Sequence, residues 1–207
     1  MRMLTTLTFA LLLCPAAFGA EPIGVTNADV NHSRDRLAKL FRVNQTTIDV
    51  TPKRSFTSAV VRLDLYRDGT KTKSIVAAAT KHVGPQESAA ISLQIADLDY
   101  LSFADGPSDS LRFLTELETN GSGPPMHASQ THDIPKSLCT MSQVSGASSF
   151  TDRSAFDNAI PLCWMLSTAN SGTKKVSSGR NPKELLKRNP KSDIVIVSIL
   201  LTDAAKE

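Results

Sequence analysis

A strict alternation of apolar and polar side chains begins near Ser55, and it constrains the fold of this chain more than any other feature. A period of two is typical of a strand that buries one face and leaves the other in water. In the first run the apolar positions are Val61, Leu63 and Leu65. Similar runs recur around residues 91–95, 111–117, 138–141 and 160–165, and a strand that is apolar on both faces is indicated at residues 194–201. The sequence therefore predicts a chain built mainly from strands.

Turn signals divide these runs. Asp68 and Gly69 follow the first run, and an Asp-Gly pair between alternating segments is the strongest short-range hairpin signal. We expect the return strand to end at Gly84 and Pro85. The alternation changes phase near Ala96, which predicts a bulge or a strand end there. Residues 120–125 are rich in glycine and proline and predict a loop.

Short connections between the runs favour an antiparallel β-sandwich of about seven or eight strands with two or three short helices. We expect helices behind Ser33, within residues 151–158 and from Asn181, where Pro182 suits the first helical position. Residues 194–201 are apolar on both faces, which indicates a central strand. We predict an irregular lead-in with a short helix over 20–54, the sandwich domain over 55–203 and a loose end over 204–207.

The first 20 residues have the order of an export signal: Arg2, then an apolar run over residues 4–13, then small residues before Ala20. The apolar run is too short to cross a bilayer as a helix, which needs about 20 residues. We predict a cleavable signal peptide over residues 1–19 and a location in the periplasm or outside the cell. Retention of Cys14 as a lipid anchor is the alternative.

Charge points to no particular partner. The chain has 23 basic and 20 acidic side chains, and only Arg2 would leave with the signal, so 22 and 20 remain. Nucleic-acid binding needs a concentrated basic patch, and the only basic-rich stretch lies at residues 174–191. We therefore expect no nucleic acid as partner, no transmembrane segment in the mature chain, and an unidentified protein or surface ligand as the partner.

Two cysteines, Cys139 and Cys163, remain after the signal. In an oxidising compartment such a pair favours a disulfide, and closing the loop over residues 140–162 would stabilise the fold by about 3 kcal/mol in the chain-entropy model. Two buried free thiols are the alternative.

Four carboxylates, those of Asp97, Asp99, Asp105 and Asp109, lie where a strand is expected to end. Clustered carboxylate oxygens suit a hard cation such as Ca²⁺, so these four residues are the candidate metal ligands. Over residues 97–105 the spacing resembles one calcium loop of C2 domains, and the second loop of that family is not evident. A solvated acidic loop is the alternative.

Two histidines, His127 and His132, precede Cys139 and raise the possibility of copper or zinc, with a polar loop as the alternative. Glu116 and Glu118 fall on one outward strand face, where charges normally serve solubility. The chain contains no Gly-x-Ser-x-Gly elbow, phosphate loop or dinucleotide fingerprint.

The sequence therefore predicts an exported, non-catalytic β-sandwich module for binding, adhesion or envelope structure, with no catalytic residues and no cofactor. The alternative is a calcium-dependent binding domain or hydrolase that uses the acidic residues 97–109.

Overall fold

The computed structural model describes residues 23–32, 43–97, 110–135, 141–146, 157–167 and 182–203. Within these ranges the chain is mainly β, with nine strands in one antiparallel sheet and one short helix. The strands are β1 (Val25–His32), β2 (Val43–Pro52), β3 (Phe56–Arg67), β4 (Thr70–Asp97), β5 (Ser110–Gly121), β6 (Met126–Pro135), β7 (Met141–Gly146), β8 (Ile160–Ser167) and β9 (Ile194–Thr202). The helix is α1 (Pro182–Arg188). The mainly-β prediction is confirmed, with one or two more strands than expected.

The 28-residue strand β4 organises the sheet. Its first part pairs with β3, and its second part lies between β2 and β5. One half of the sheet therefore has the order β1-β2-β4-β5-β6, and the other has the order β4-β3-β9-β8-β7. Because β4 belongs to both halves, the strands form a single sheet that curls nearly into a barrel.

The predicted β3–β4 hairpin is confirmed. Arg67 pairs with Thr70, and the two turn residues have positive φ, 51° at Asp68 and 72° at Gly69. Positive φ at both central positions is the requirement of a type I′ turn, whose twist matches that of the flanking strands.

The predicted end of the return strand at Gly84 and Pro85 is wrong, because β4 continues through them to Asp97. The four residues 82–85 stand opposite the single residue Thr57, so the ladder is interrupted there rather than ended. A proline is tolerated at such an irregularity because its missing N–H breaks no ladder hydrogen bond. β4 is described as far as Asp97, so the bulge or strand end expected near Ala96 stays a prediction.

One hydrophobic core draws on both halves of the sheet, and the alternating apolar residues of β3, β4, β5 and β9 fill it. A second, smaller cluster lies on the opposite face of β9, where α1 covers the sheet. It contains Tyr66, Trp164, Leu185, Ile194 and Ile196. Because β9 is buried on both faces and lies between β3 and β8, its predicted central position is confirmed.

The helix predicted after Asn181 is confirmed as α1. Glu184 lies in its first turn and Arg188 in its last, as the helix dipole favours. Leu185 is fully buried, and the Asn189 amide donates a hydrogen bond of 2.9 Å to the Leu185 carbonyl at the helix end. Packing of Leu185 onto the sheet stabilises a helix too short to persist alone.

The irregular lead-in predicted before residue 55 is wrong where the chain is described, because β1 and β2 pair with each other and β2 pairs with β4. Their alternation is short, and a register shift between Val25 and Asn27 interrupts it in β1. The predicted signal peptide, the helix behind Ser33 and residues 204–207 lie outside the described residues. Of residues 151–158, only 157 and 158 are described, and they form a turn.

Candidate functional site

The acidic residues 97–109 form the connection between two paired strands. Asp97 is the last described residue of β4 and pairs with Leu111 of β5, so residues 98–109 join the paired ends of these two strands in sequence. Asp99, Asp105 and Asp109 lie outside the described residues, and the calcium set stays a prediction. Among the residues that are described, no three His, Cys, Asp or Glu side chains stand close enough to hold a metal.

His127 and His132 do not form a pair. Both lie on the regular strand β6, where the predicted polar loop is wrong, and they are five positions apart. Side chains alternate between faces along a strand, so an odd separation places the two rings on opposite faces. His127 lies opposite Glu118 and His132 opposite Phe113. The two histidines therefore cannot share one copper or zinc ion.

Cys163 is a free, fully buried thiol in the main core. Burial raises the pKa of this thiol to about 12, so it stays protonated and unreactive at neutral pH. Cys139 lies outside the described residues, so the disulfide stays a prediction.

A cluster of charged side chains that the sequence analysis missed lies on the outer face of β3. The Asp64 carboxylate is completely buried and accepts hydrogen bonds from Arg62 Nη2 at 3.0 Å and from Ser74 Oγ at 2.5 Å. Arg62 also lies 3.6 Å from the carboxylate of Asp157, which Lys71 contacts in turn. We call these five side chains the ion cluster. Its two positive and two negative charges balance, and the buried carboxylate of Asp64 has Arg62 as its partner, as burial of a charge requires.

Two features of the cluster's surroundings show how it is held. Asp157 and Asn158 both have positive φ, 50° and 63°, and this left-handed turn brings the Asp157 carboxylate to Lys71 and Arg62. Lys71 holds the pKa of Asp157 below its usual range. Burial, together with the nearby Asp64 and Asp157, raises the pKa of Tyr66 to about 12, so its hydroxyl is protonated at neutral pH.

The ion cluster is built to hold strands together rather than to transfer protons. Both carboxylates are engaged by cations, and the neighbouring phenol cannot act as a base near neutral pH. A second ion pair has the same role: Arg67 donates two hydrogen bonds, of 3.0 and 3.2 Å, to the buried carboxylate of Asp193. These contacts tie the β3–β4 hairpin to β9 and to the turn before β8.

One sequence signal could have revealed the ion cluster. Arg62 and Asp64 alternate with Val61, Leu63 and Leu65, and this pattern taken alone predicts that they face solvent. The strand at residues 194–201, however, was expected to be buried on both faces. β3 lies next to β9 in the sheet, and Asp64 lies directly opposite Ile196. Structure that covers the outer face of β9 therefore also covers part of the outer face of β3.

The sheet has four edges that lack a second partner strand within the described ranges: β1, β6, β7 and the first part of β4. Proteins protect such edges with lysines, bulges or shortness. β1 and β7 each have a register shift against the strand they pair with. The first part of β4 carries Lys71, Lys73 and Lys81 and has register shifts against β3.

β6 has none of these protections over residues 126–134, and its one proline, Pro135, is its last residue. All ten of its residues pair with β5 without a register shift, and it contains no lysine. Six of its residues are exposed: Met126, His127, Ser129, Gln130, Thr131 and Asp133. Its one acidic side chain is already engaged, because Arg112 donates hydrogen bonds of 2.9 and 3.1 Å to Asp133 and lowers its pKa. An edge of this kind can add a strand from another chain.

Searches against protein-family models, curated proteins and solved structures found no match for this chain. No helix in the described ranges is long and apolar enough to cross a membrane.

Proposed function

We propose that this protein is an exported, non-catalytic β-sandwich module that binds its partner in the cell envelope or outside the cell by adding an extended segment to the edge of β6. The predicted signal peptide supports the location. The two halves of the sheet around one core support the sandwich description. The observation that carries the binding proposal is the regular, exposed and unprotected edge strand β6.

Strand addition suits this edge chemically. The main-chain N–H and C=O groups along one side of β6 have no partner strand within the described residues, and an extended segment can satisfy them without any special side chain. The polar side chains of β6 keep the free edge soluble. In the ion cluster both carboxylates are engaged by cations, which favours a role in stability over catalysis.

The experiment is selection of peptides from a phage-displayed library of random 10-residue sequences, using the purified mature protein as bait. The blocking variant is Ser129→Lys with Thr131→Lys, because edge lysines oppose strand addition. The matched control is Thr47→Lys with Gln94→Lys, which adds the same charge to partly exposed positions on strands that have neighbours on both sides. We expect the selected peptides to bind the wild type and the control variant. They should not bind the blocking variant. Binding that survives in the blocking variant would contradict the proposal.

A second candidate function, calcium-dependent binding or hydrolysis, uses the acidic connection. It is favoured by the pairing of Asp97 with Leu111, because the other three carboxylates lie in the short stretch of sequence that joins the paired ends of β4 and β5. Calcium that binds only the folded state must raise the melting temperature. A thermal melt with Ca²⁺ and with chelator tests it: an upward shift that Asp97→Asn abolishes would support this candidate, and coincident melts would reject it.

A further inference from the structure

The segment that best fits the edge of β6 is β6 itself, and we propose that two copies of this chain associate through their β6 strands, antiparallel and related by a twofold axis. This inference rests on the proposed function, because it names the occupant of the same edge. A second copy is indicated by the strand's own sequence, which is complementary to itself in one register.

Strand geometry limits the registers available. Each residue of an antiparallel strand directs its N–H and C=O to one side, and the next residue directs them to the other. Because β5 uses one side of β6, only every second residue faces the free edge. When two copies pair, an even-numbered residue can therefore lie opposite only an even-numbered residue, and an odd-numbered residue opposite only an odd-numbered one. As a result, one residue on the twofold axis lies opposite the same residue of the second copy.

The two registers that use most of the strand place Gln130 or Thr131 on the axis. Centring on Thr131 brings Pro135, which has no N–H to donate, opposite His127. Centring on Gln130 pairs residues 126–134 and leaves the proline outside the ladder. The Gln130 register therefore keeps Pro135 out of the new ladder, whichever set of residues faces the free edge.

In the Gln130 register the side chains also match. On the outer face His127 lies opposite Asp133 of the second copy, and Ser129 lies opposite its Thr131; the symmetry repeats both pairs. Within each copy Glu118 lies opposite His127, and Arg112 is bonded to Asp133. Four side chains then lie in one row across the two sheets: Glu118 and His127 of one copy, followed by Asp133 and Arg112 of the other. Imidazole and guanidinium donors alternate with carboxylates along this row. Directly opposed pairs of this kind favour association.

The inner face matches as well. Met126, one of the few large apolar side chains that are exposed, at 40%, lies opposite Ile134 of the second copy. Gln130 lies opposite Gln130, where the two amides can bond each other, because each carries a donor and an acceptor. The register therefore covers an exposed apolar residue and opposes no two like charges.

Cysteine cross-linking tests the register. Directly opposite residues have Cα atoms about 4.5–5.5 Å apart, within disulfide range, whereas residues displaced by two positions are about 7–8 Å apart. We expect Gln130→Cys to give a disulfide-linked dimer on mild oxidation. In this register position 129 lies opposite Thr131 of the second copy, so two cysteines at position 129 are too far apart to join. The Ser129→Cys variant should therefore remain monomeric on a denaturing gel. Equal cross-linking of both variants, or of neither, would overturn the register.

Sedimentation velocity tests the association. We expect the wild type to sediment as a dimer that dissociates on dilution. Gln130→Lys should be monomeric because it places two ammonium groups opposite each other on the axis, while Gln94→Lys, with the same charge inside the sheet, should remain dimeric. A wild type that is monomeric at every attainable concentration, or a dimer that Gln130→Lys leaves intact, would overturn the proposal. A monomeric wild type that still captures peptides at β6 would overturn self-association alone and leave the binding function standing.

Discussion

Removing the carboxylate of Asp64 is the sharpest perturbation of the ion cluster. Asp64→Leu deletes the acceptor of two hydrogen bonds and leaves the guanidinium of Arg62, only 14% exposed, with Asp157 at 3.6 Å as its remaining carboxylate within the cluster. Breaking a buried ion pair by removing one partner costs about 3–5 kcal/mol. Because Arg62 keeps Asp157, we expect the low end, about 3 kcal/mol.

The double variant Arg62→Met with Asp64→Leu should recover most of this loss. It removes both charges and replaces them with apolar side chains, a change that is often neutral or stabilising. We expect its free energy of unfolding to lie within about 1 kcal/mol of the wild type. The difference between the single and double variants measures the coupling between the two side chains.

Urea unfolding followed by the fluorescence of Trp164 is the assay, because this only tryptophan is 2% exposed and lies on the same side of the sheet. For a slope of about 2 kcal/mol per molar urea, a loss of about 3 kcal/mol lowers the midpoint by about 1.5 M. The control is Asp203→Leu, which breaks the exposed ion pair with Arg54, away from β6, and should shift the midpoint far less. A small shift for Asp64→Leu, or a double variant as unstable as the single one, would refute the reasoning.

Three further predictions concern other sites. Gly121→Ala should destabilise the protein by about 1–3 kcal/mol, because the added Cβ would lie 2.5 Å from the Pro85 carbonyl oxygen. The control Gly84→Ala has open space around the added Cβ and should be close to neutral in the same urea assay. Equal effects of the two variants would contradict this prediction. Raising the pH from 10 to 12 should lower the free energy of unfolding of the wild type through Tyr66. The pKa of Tyr66 is about 12 in the folded protein and 10 for the free side chain, so over this range the unfolded chain loses the phenolic proton more readily than the folded protein. Absorbance titration of the phenolate should show a step near pH 12 that Tyr66→Phe removes; an unchanged titration would contradict this. In a Cys139→Ser variant of the mature chain, Cys163 should react with a thiol reagent only after unfolding, because the thiol is buried and protonated; rapid reaction in the native protein would contradict this.

Local patterns predicted the elements that form from local signals. The Asp68-Gly69 turn, the alternating burial of β5, the two-sided burial of β9 and the start of α1 all follow from residues adjacent in sequence. Each of these signals involves a strong steric or burial preference, so tertiary context reinforces it.

The errors fall where pairing partners decide the structure. β6 is polar along most of its length and was expected to be a loop, yet its ladder with β5 makes it a strand. β4 passes through Gly84 and Pro85 because β5 and β2 continue to pair with it on the far side. The same reason explains the missed ion cluster and the missed edge: which face is covered and which edge is open depends on strand order, which one sequence does not state.

Amide hydrogen exchange along β6, measured in the Ser129→Lys and Thr131→Lys double variant, tests the open edge most directly. The lysines remove any bound segment, so only β5 protects the strand. We predict that every second amide of residues 126–134 exchanges rapidly and that the amides between them, bonded to β5, exchange slowly. Uniform protection along the whole strand would mean that another part of the chain already covers this edge, and it would contradict both the proposed binding function and the β6 dimer.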